Sequence, residues 1–144
     1  MSKRIFKIVI SLLILLSLCG CKKIEELPND AINYESGEIS FENEESGYKT
    51  IEYNNKVFIM YGSIKPKGFF RDLSYAYGNC LGYVDDDKDD RIYALLNENS
   101  DEWLIEYYTA GMMEQPIVLR EISTKGKIKV PDIVESFDYD YWKE

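Results

Sequence analysis

The residues most able to do chemistry are the run Asp85-Asp86-Asp87-Lys88-Asp89-Asp90. Asp85, Asp87 and Asp89 fall at positions 1, 3 and 5 of a calcium loop, and Ile92 at position 8. Alternating carboxylates of this kind give a hard cation the clustered oxygens it needs. Two positions depart from that pattern: Asp90 stands where glycine makes the sharp turn, and Leu96 where a bidentate Glu completes the shell. The run therefore has two readings. It is a weak calcium site on Asp85, Asp87 and Asp89, or it is a solvated acidic turn in which Lys88 and Arg91 offset part of the charge.

A second constellation is aromatic. The chain holds 12 Tyr, 6 Phe and 2 Trp, enough to line a surface as well as fill a core. Tyr83, Tyr93, Trp103, Tyr107 and Tyr108, with Tyr75 and Tyr77 nearby, lie in or near the central apolar runs. Exposed, such a row stacks on sugar rings or grips a peptide, because Tyr is large and stiff. Buried, it fills a small β core with its hydroxyls at the rim.

Other catalytic arrangements are poorly supplied. The chain has no His, which removes Ser-His-Asp and Cys-His catalysis, His-ligated zinc and the usual pH switch. Acid–base chemistry is left to carboxylates, Lys or Tyr. With 26 acidic residues, carboxylate pairs are unavoidable, and none stands in an apolar setting that raises its pKa. Hydrolysis by a carboxylate pair is the alternative to a non-catalytic role.

The elements that must position these residues read as short strands. Lys49–Tyr53 and Lys56–Tyr61 are rich in β-formers and flank Asn54-Asn55, two residues that tolerate φ > 0, which predicts a two-residue hairpin. Gly62 to Gly78 reads as a loop. Cys80–Val84 and Arg91–Leu95 predict two strands joined by Asp85–Asp90. Glu102–Tyr108 and Ile117–Ile122 predict two more. Asp132 is placed to cap a short amphipathic helix over Ile133–Phe137. These elements predict a small domain over residues 48–144, mostly β or α+β, with an antiparallel sheet and a short C-terminal helix. Residues 21–47 are polar and contain Pro28, which predicts a flexible tether, with Ile39–Phe41 available as an edge strand.

The first residues carry an address. Lys3, Arg4 and Lys7 precede an apolar run from Ile8 to Leu18, and Leu18-Cys19-Gly20-Cys21 is followed by Lys22-Lys23. The apolar run is shorter than the ~20 residues a membrane-spanning helix needs. The layout is that of an export signal, and its end resembles the lipobox of bacterial membrane lipoproteins. The resemblance covers residues 1–21 only. It implies cleavage after Gly20, a diacylglyceryl thioether and fatty acyl chains such as palmitate on Cys21, and residence on the extracytoplasmic face of the cell membrane. Two acyl chains form a stable anchor where one is marginal, and Lys22-Lys23 add attraction to anionic headgroups.

Processing changes the charge. Residues 1–20 contain three bases and no acid, so removing them takes the net charge from −9 to −12. Such a surface repels phosphate backbones and excludes nucleic acid as a partner class. The 124 residues that remain suit one domain. Cys80 is then the one thiol outside the lipidated N-terminus, so no intrachain disulfide forms. The expected function is non-catalytic recognition, in the cell envelope, of a basic protein or an envelope glycan. The alternatives are a small carboxylate-based hydrolase and a module stabilised by a divalent cation.

Overall fold

A computed structural model of the chain describes residues 25–42, 44, 46–68, 72–111 and 115–143. Residues 1–20, where a signal peptide is expected, Cys21 and Lys22-Lys23 lie outside the described residues. The strands are β1 (Ile32–Ile39), β2 (Tyr48–Tyr53), β3 (Lys56–Ile64), β4 (Tyr77–Val84), β5 (Asp87–Leu95), β6 (Trp103–Tyr108), β7 (Ile117–Glu121) and β8 (Val134–Ser136). They pair in the order β2-β1-β4-β5-β6-β7-β3, and β3 pairs back to β2, which closes a seven-stranded barrel. The chain is mostly β. All junctions are antiparallel except β1–β4, which is parallel.

The expected hairpin is present. Asn54 and Asn55 have φ of 54° and 61°, and β2 and β3 pair on either side of them. A second turn of the same kind joins β4 to β5, with Asp85 and Asp86 at φ of 50° and 64°. The connection expected over Asp85–Asp90 is thus two residues long, and Asp87–Asp90 already belong to β5.

Three expectations are corrected. The small antiparallel sheet is instead a closed seven-stranded barrel with one parallel junction, because β1 and β2 complete the ring. Residues 32–39, expected within the tether, form β1, whose pairing with β4 completes the barrel. The helix expected over Ile133–Phe137 is absent. Val134–Ser136 is strand β8, and among the described residues the only helical pieces are 3-10 turns at Ser74–Ala76, Ile122–Thr124 and Asp140–Trp142. The cause lies in β3. Its first half pairs with β2, but past Met60 that edge is open, and β8 fills it at Gly62–Ile64. Backbone groups left unpaired in an edge are costly when buried, and this outweighs the local helical spacing.

Two glycines make these additions possible. A Cβ on Gly62 would sit 1.9 Å from the Glu135 carbonyl oxygen, and one on Gly82 would sit 1.9 Å from that of Ile32. No other residue lets β8 and β1 approach this closely.

Strand alternation divides the apolar side chains between two cores. Tyr34, Ile51, Phe58, Val84, Ile92, Leu104 and Leu119, one from each strand of the ring, form a buried girdle in the lumen. The outer face of the wall carries Ile59, Tyr61, Tyr93, Leu95, Trp103, Ile105 and Val118. It is covered by Leu73–Tyr77 and by the segment after β7, which lays down Ile128, Val134 and Trp142.

That covering segment is pinned by one side chain. Arg120 is 2% exposed, and its guanidinium carbon lies 5.4, 5.3 and 4.9 Å from the ring centroids of Tyr61, Trp103 and Trp142. Its Nε donates to Thr124 Oγ1 at 2.9 Å and its Nη2 to the Thr124 carbonyl at 2.8 Å. Trp142 Nε1 donates to the Met60 carbonyl at 2.9 Å, which holds the end of the segment against the bulge in β3.

Candidate functional site

The acidic turn is the first place to test. Asp85 accepts hydrogen bonds from the backbone N–H of Ser36 at 2.9 Å and from the Ser36 hydroxyl. Those bonds hold its carboxyl below the usual range. Asp86 accepts from Asn33 Nδ2 at 2.9 Å, and the Asp85 N–H donates to the Tyr34 carbonyl at 2.9 Å. Asp87 Oδ1 accepts from the Asp89 N–H at 3.0 Å, and the Asp89 carbonyl accepts from Thr109. The turn thus fastens β1 to the β4–β5 hairpin. Asp85 points to β1, while Asp87 and Asp89 lie on one face of β5 and take partners of their own. Among the described residues, no three acidic or sulfur side chains converge in the way a metal requires.

The aromatic set is divided by the fold. Tyr93 and Trp103 are 6% and 1% exposed and belong to the outer core. Tyr83 is half-buried on β4. Tyr107 and Tyr108, neighbours in sequence, point to opposite faces of β6, as strand pleating requires. Each lines a different concavity.

Tyr108 faces the open mouth of the lumen, a cavity of about 310 Å³ that it lines with Lys49, Met60, Asp90, Glu106 and Ile117. Lys49 on β2 reaches across the barrel to Glu106 on β6, Nζ to Oε1 2.5 Å, and lies 3.8 Å from Asp90 on β5. These strands are not neighbours of β2 in the ring, so the ion pair spans the lumen above the apolar girdle. Glu106 is 7% exposed. Burial, and then the adjacent Glu106 carboxylate, push Asp90 up to about 6, against the pull of Lys49. Lys49 is itself pulled down by burial, but its bond to Glu106 and the nearby carboxylates outweigh this and raise it.

Sequence reasoning missed this pair because no carboxylate seemed set among apolar neighbours. A signal was there: Glu106 alternates with Leu104 and Tyr108, so it is a lone acid on a face that points inward. Chemically the arrangement is a carboxyl dyad with an ammonium counterion. Asp90 and Glu106 share the Lys49 ammonium, which lies 3.8 Å from one and 2.5 Å from the other.

Tyr107 faces the second concavity, a cleft of about 520 Å³ on the outer side of the same wall. Tyr77 joins it from β4, with ring centroids 6.0 Å apart in an edge-on arrangement, and Tyr77 in turn packs 5.0 Å from buried Tyr93. Burial, followed by the neighbouring Tyr107 and Tyr93, pushes the Tyr77 hydroxyl well up, so it stays protonated. Leu73, Pro66 and Pro116 add apolar wall, and Asp72 and Glu135 bring carboxylates. The cleft combines half-buried rings anchored in the core with an acidic lining, a surface suited to holding a ligand rather than transforming it. Comparison with known proteins found no matching family model, no matching curated protein and no matching solved structure.

Proposed function

We propose that this chain is a bacterial lipoprotein, anchored through acylated Cys21 on the extracytoplasmic face of the cell membrane, whose barrel recognises an envelope component without catalysis. The observation that carries the recognition reading is the tyrosine cleft. Tyr77 and Tyr107 are held by core neighbours yet face an open concavity of about 520 Å³. Rigid aromatic anchors of this kind cost little side-chain entropy on binding, which is why they dominate recognition surfaces. The anchor rests on Leu18-Cys19-Gly20-Cys21 and the basic and apolar segments before it.

The test uses the full chain in a bacterial host. Photo-crosslinking from the cleft rim is expected to trap one envelope component, and Tyr107→Leu to abolish the adduct. A rim that crosslinks nothing, or a pattern unchanged by Tyr107→Leu, retires this reading. For the anchor, Cys21→Ser is expected to leave an unprocessed precursor, and lipid still found on that variant refutes it. The second reading, a carboxylate-based envelope hydrolase, draws on the raised Asp90 beside Glu106. It requires turnover of a wall or glycan substrate that Asp90→Asn abolishes.

A further inference from the structure

Resting on the anchor reading above, we propose that the outer wall formed by β4 and β5, where the chain is tied at Glu25, is held down on the lipid bilayer and faces its headgroups. The described chain is packed from its first residue. The Glu25 carbonyl accepts a hydrogen bond from Arg91 Nη1, Leu27 packs against the outer core, and the Ala31 N–H donates to the Pro28 carbonyl at 3.1 Å as the chain turns into β1. Arg91 is itself fixed: it is 6% exposed, and its Nε donates to the Lys88 carbonyl at 3.1 Å. The expected tether over residues 21–47 is thereby cut to Lys22, Lys23 and Ile24 between Cys21 and Glu25. Four residues span at most about 14 Å when fully extended. With Cys21 lipidated at the bilayer surface, Glu25 stays within that distance of it whatever conformation the residues between them take.

The tie also sets which side of the barrel faces down. Arg91 alternates with Ile92 of the lumen girdle, so Glu25 is fastened to the outer face of β5. Tyr107 stands directly opposite Arg91 on β6, so the tyrosine cleft shares this wall and meets its occupant close to the membrane surface. Adhesion is not what holds the wall down. Glu25, Glu26 and Asp30 are exposed beside the tie, and acidic side chains are repelled by anionic headgroups. The short covalent reach keeps in place a wall that a long tether would let lift away.

The experiment uses the full lipidated chain in phosphatidylcholine vesicles that carry a nitroxide on a fraction of the headgroups. A fluorophore is placed at Asn79→Cys, which lines the same shallow cavity as Glu25, or at Glu52→Cys, which is exposed on β2 across the ring from β5. Cys80 is buried, so the introduced thiol takes the label. Quenching is expected to be several-fold stronger at position 79 than at position 52. Inserting ten Gly/Ser residues after Lys23, which leaves the barrel untouched, adds roughly 17 Å of reach and is expected to remove the contrast. Equal quenching at the two positions, or stronger quenching at position 52, overturns the proposal. A contrast that survives the insertion also overturns it, because the wall then adheres through its own surface. Flotation of the labelled chain with the vesicles reports the anchor separately. A chain that floats without a quenching contrast refutes the orientation and leaves the anchor standing, whereas a chain that carries no lipid and does not float refutes both.

Discussion

Replacing Arg120 by Lys or by Met separates two accounts of a buried cation. The guanidinium is 2% exposed and, among the described residues, forms no ion pair. It is satisfied by Thr124 Oγ1, by the Thr124 carbonyl and by three aromatic faces. Arg120→Lys keeps the charge buried but loses the fork that reaches both Thr124 oxygens at once. One hydrogen bond from a charged donor is worth about 1.5–3 kcal/mol, and weaker stacking of an ammonium adds about 0.5–1 kcal/mol. The expected cost is about 2–4 kcal/mol. Arg120→Met removes the charge together with its desolvation penalty. The two nearer acceptors keep other partners, Thr124 Oγ1 donating to the Glu121 carbonyl at 2.6 Å and the Thr124 carbonyl accepting from the Lys127 N–H at 2.9 Å, and the bond lost at the Ile128 carbonyl is a long one of 3.5 Å. The Met variant is therefore expected to cost only about 1–2 kcal/mol, less than Lys. Both tryptophans of the chain, Trp103 and Trp142, stack on this side chain, so urea unfolding followed by tryptophan fluorescence reads this site alone. A Lys variant within 0.5 kcal/mol of the parent, or a Met variant costlier than Lys, refutes the argument that guanidinium geometry rather than charge holds the covering segment.

Other perturbations test the frame around the site. Asp90 is raised in the folded state to about 6, so the fold binds a proton that the unfolded chain has released, and stability falls as pH rises through that value. Urea midpoints are expected to be higher at pH 5 than at pH 7, and Asp90→Asn to flatten this difference and stabilise at pH 7 by about 1–2 kcal/mol once screening at the open mouth is allowed for; a loss of stability at pH 7 contradicts it. Gly82→Ala places a methyl 1.9 Å from the Ile32 carbonyl oxygen and is expected to cost about 1–3 kcal/mol, with amide exchange rising first in β1; unchanged protection in β1 counts against the close-approach reading. Because Asp85, Asp87 and Asp89 serve separate protein partners, millimolar calcium against chelator is expected to leave the melting temperature in place, whereas a clear rise returns the turn to the status of a cation site.

Much of the fold is legible in particular residues. Asn54-Asn55 between two β-rich runs specifies its hairpin because the requirement, φ > 0 at both positions, is local. The burial of Trp103 and Tyr93 follows from their place in apolar runs. Asp85-Asp86 carries the same turn signal, but the charged start of β5 hides it: Asp87 to Asp90 are not what a strand interior normally shows. Of the five aromatic candidates, one lines the cleft and another the mouth, and the adjacency of Tyr107 and Tyr108 gives no hint that a sheet will separate them until β6 is assigned.

What the sequence by itself determined is therefore the local chemistry: the strand-forming runs, the Asn turn, the basic and apolar N-terminal run ending in Leu18-Cys19-Gly20-Cys21, and the acidic charge. What only the tertiary structure decided is which distant edges meet. β1 leaves the expected tether because β4 offers a parallel edge that Gly82 makes approachable, and β8 forgoes a helix because β3 past Met60 offers another at Gly62. Lys49 meets Glu106, 57 residues away, only because the barrel closes. Local conformational preferences amount to about 1 kcal/mol per residue or less. Pairing a buried edge and closing a lumen involve many such amounts at once, and the partners they choose are set by the whole ring rather than by any window of the sequence.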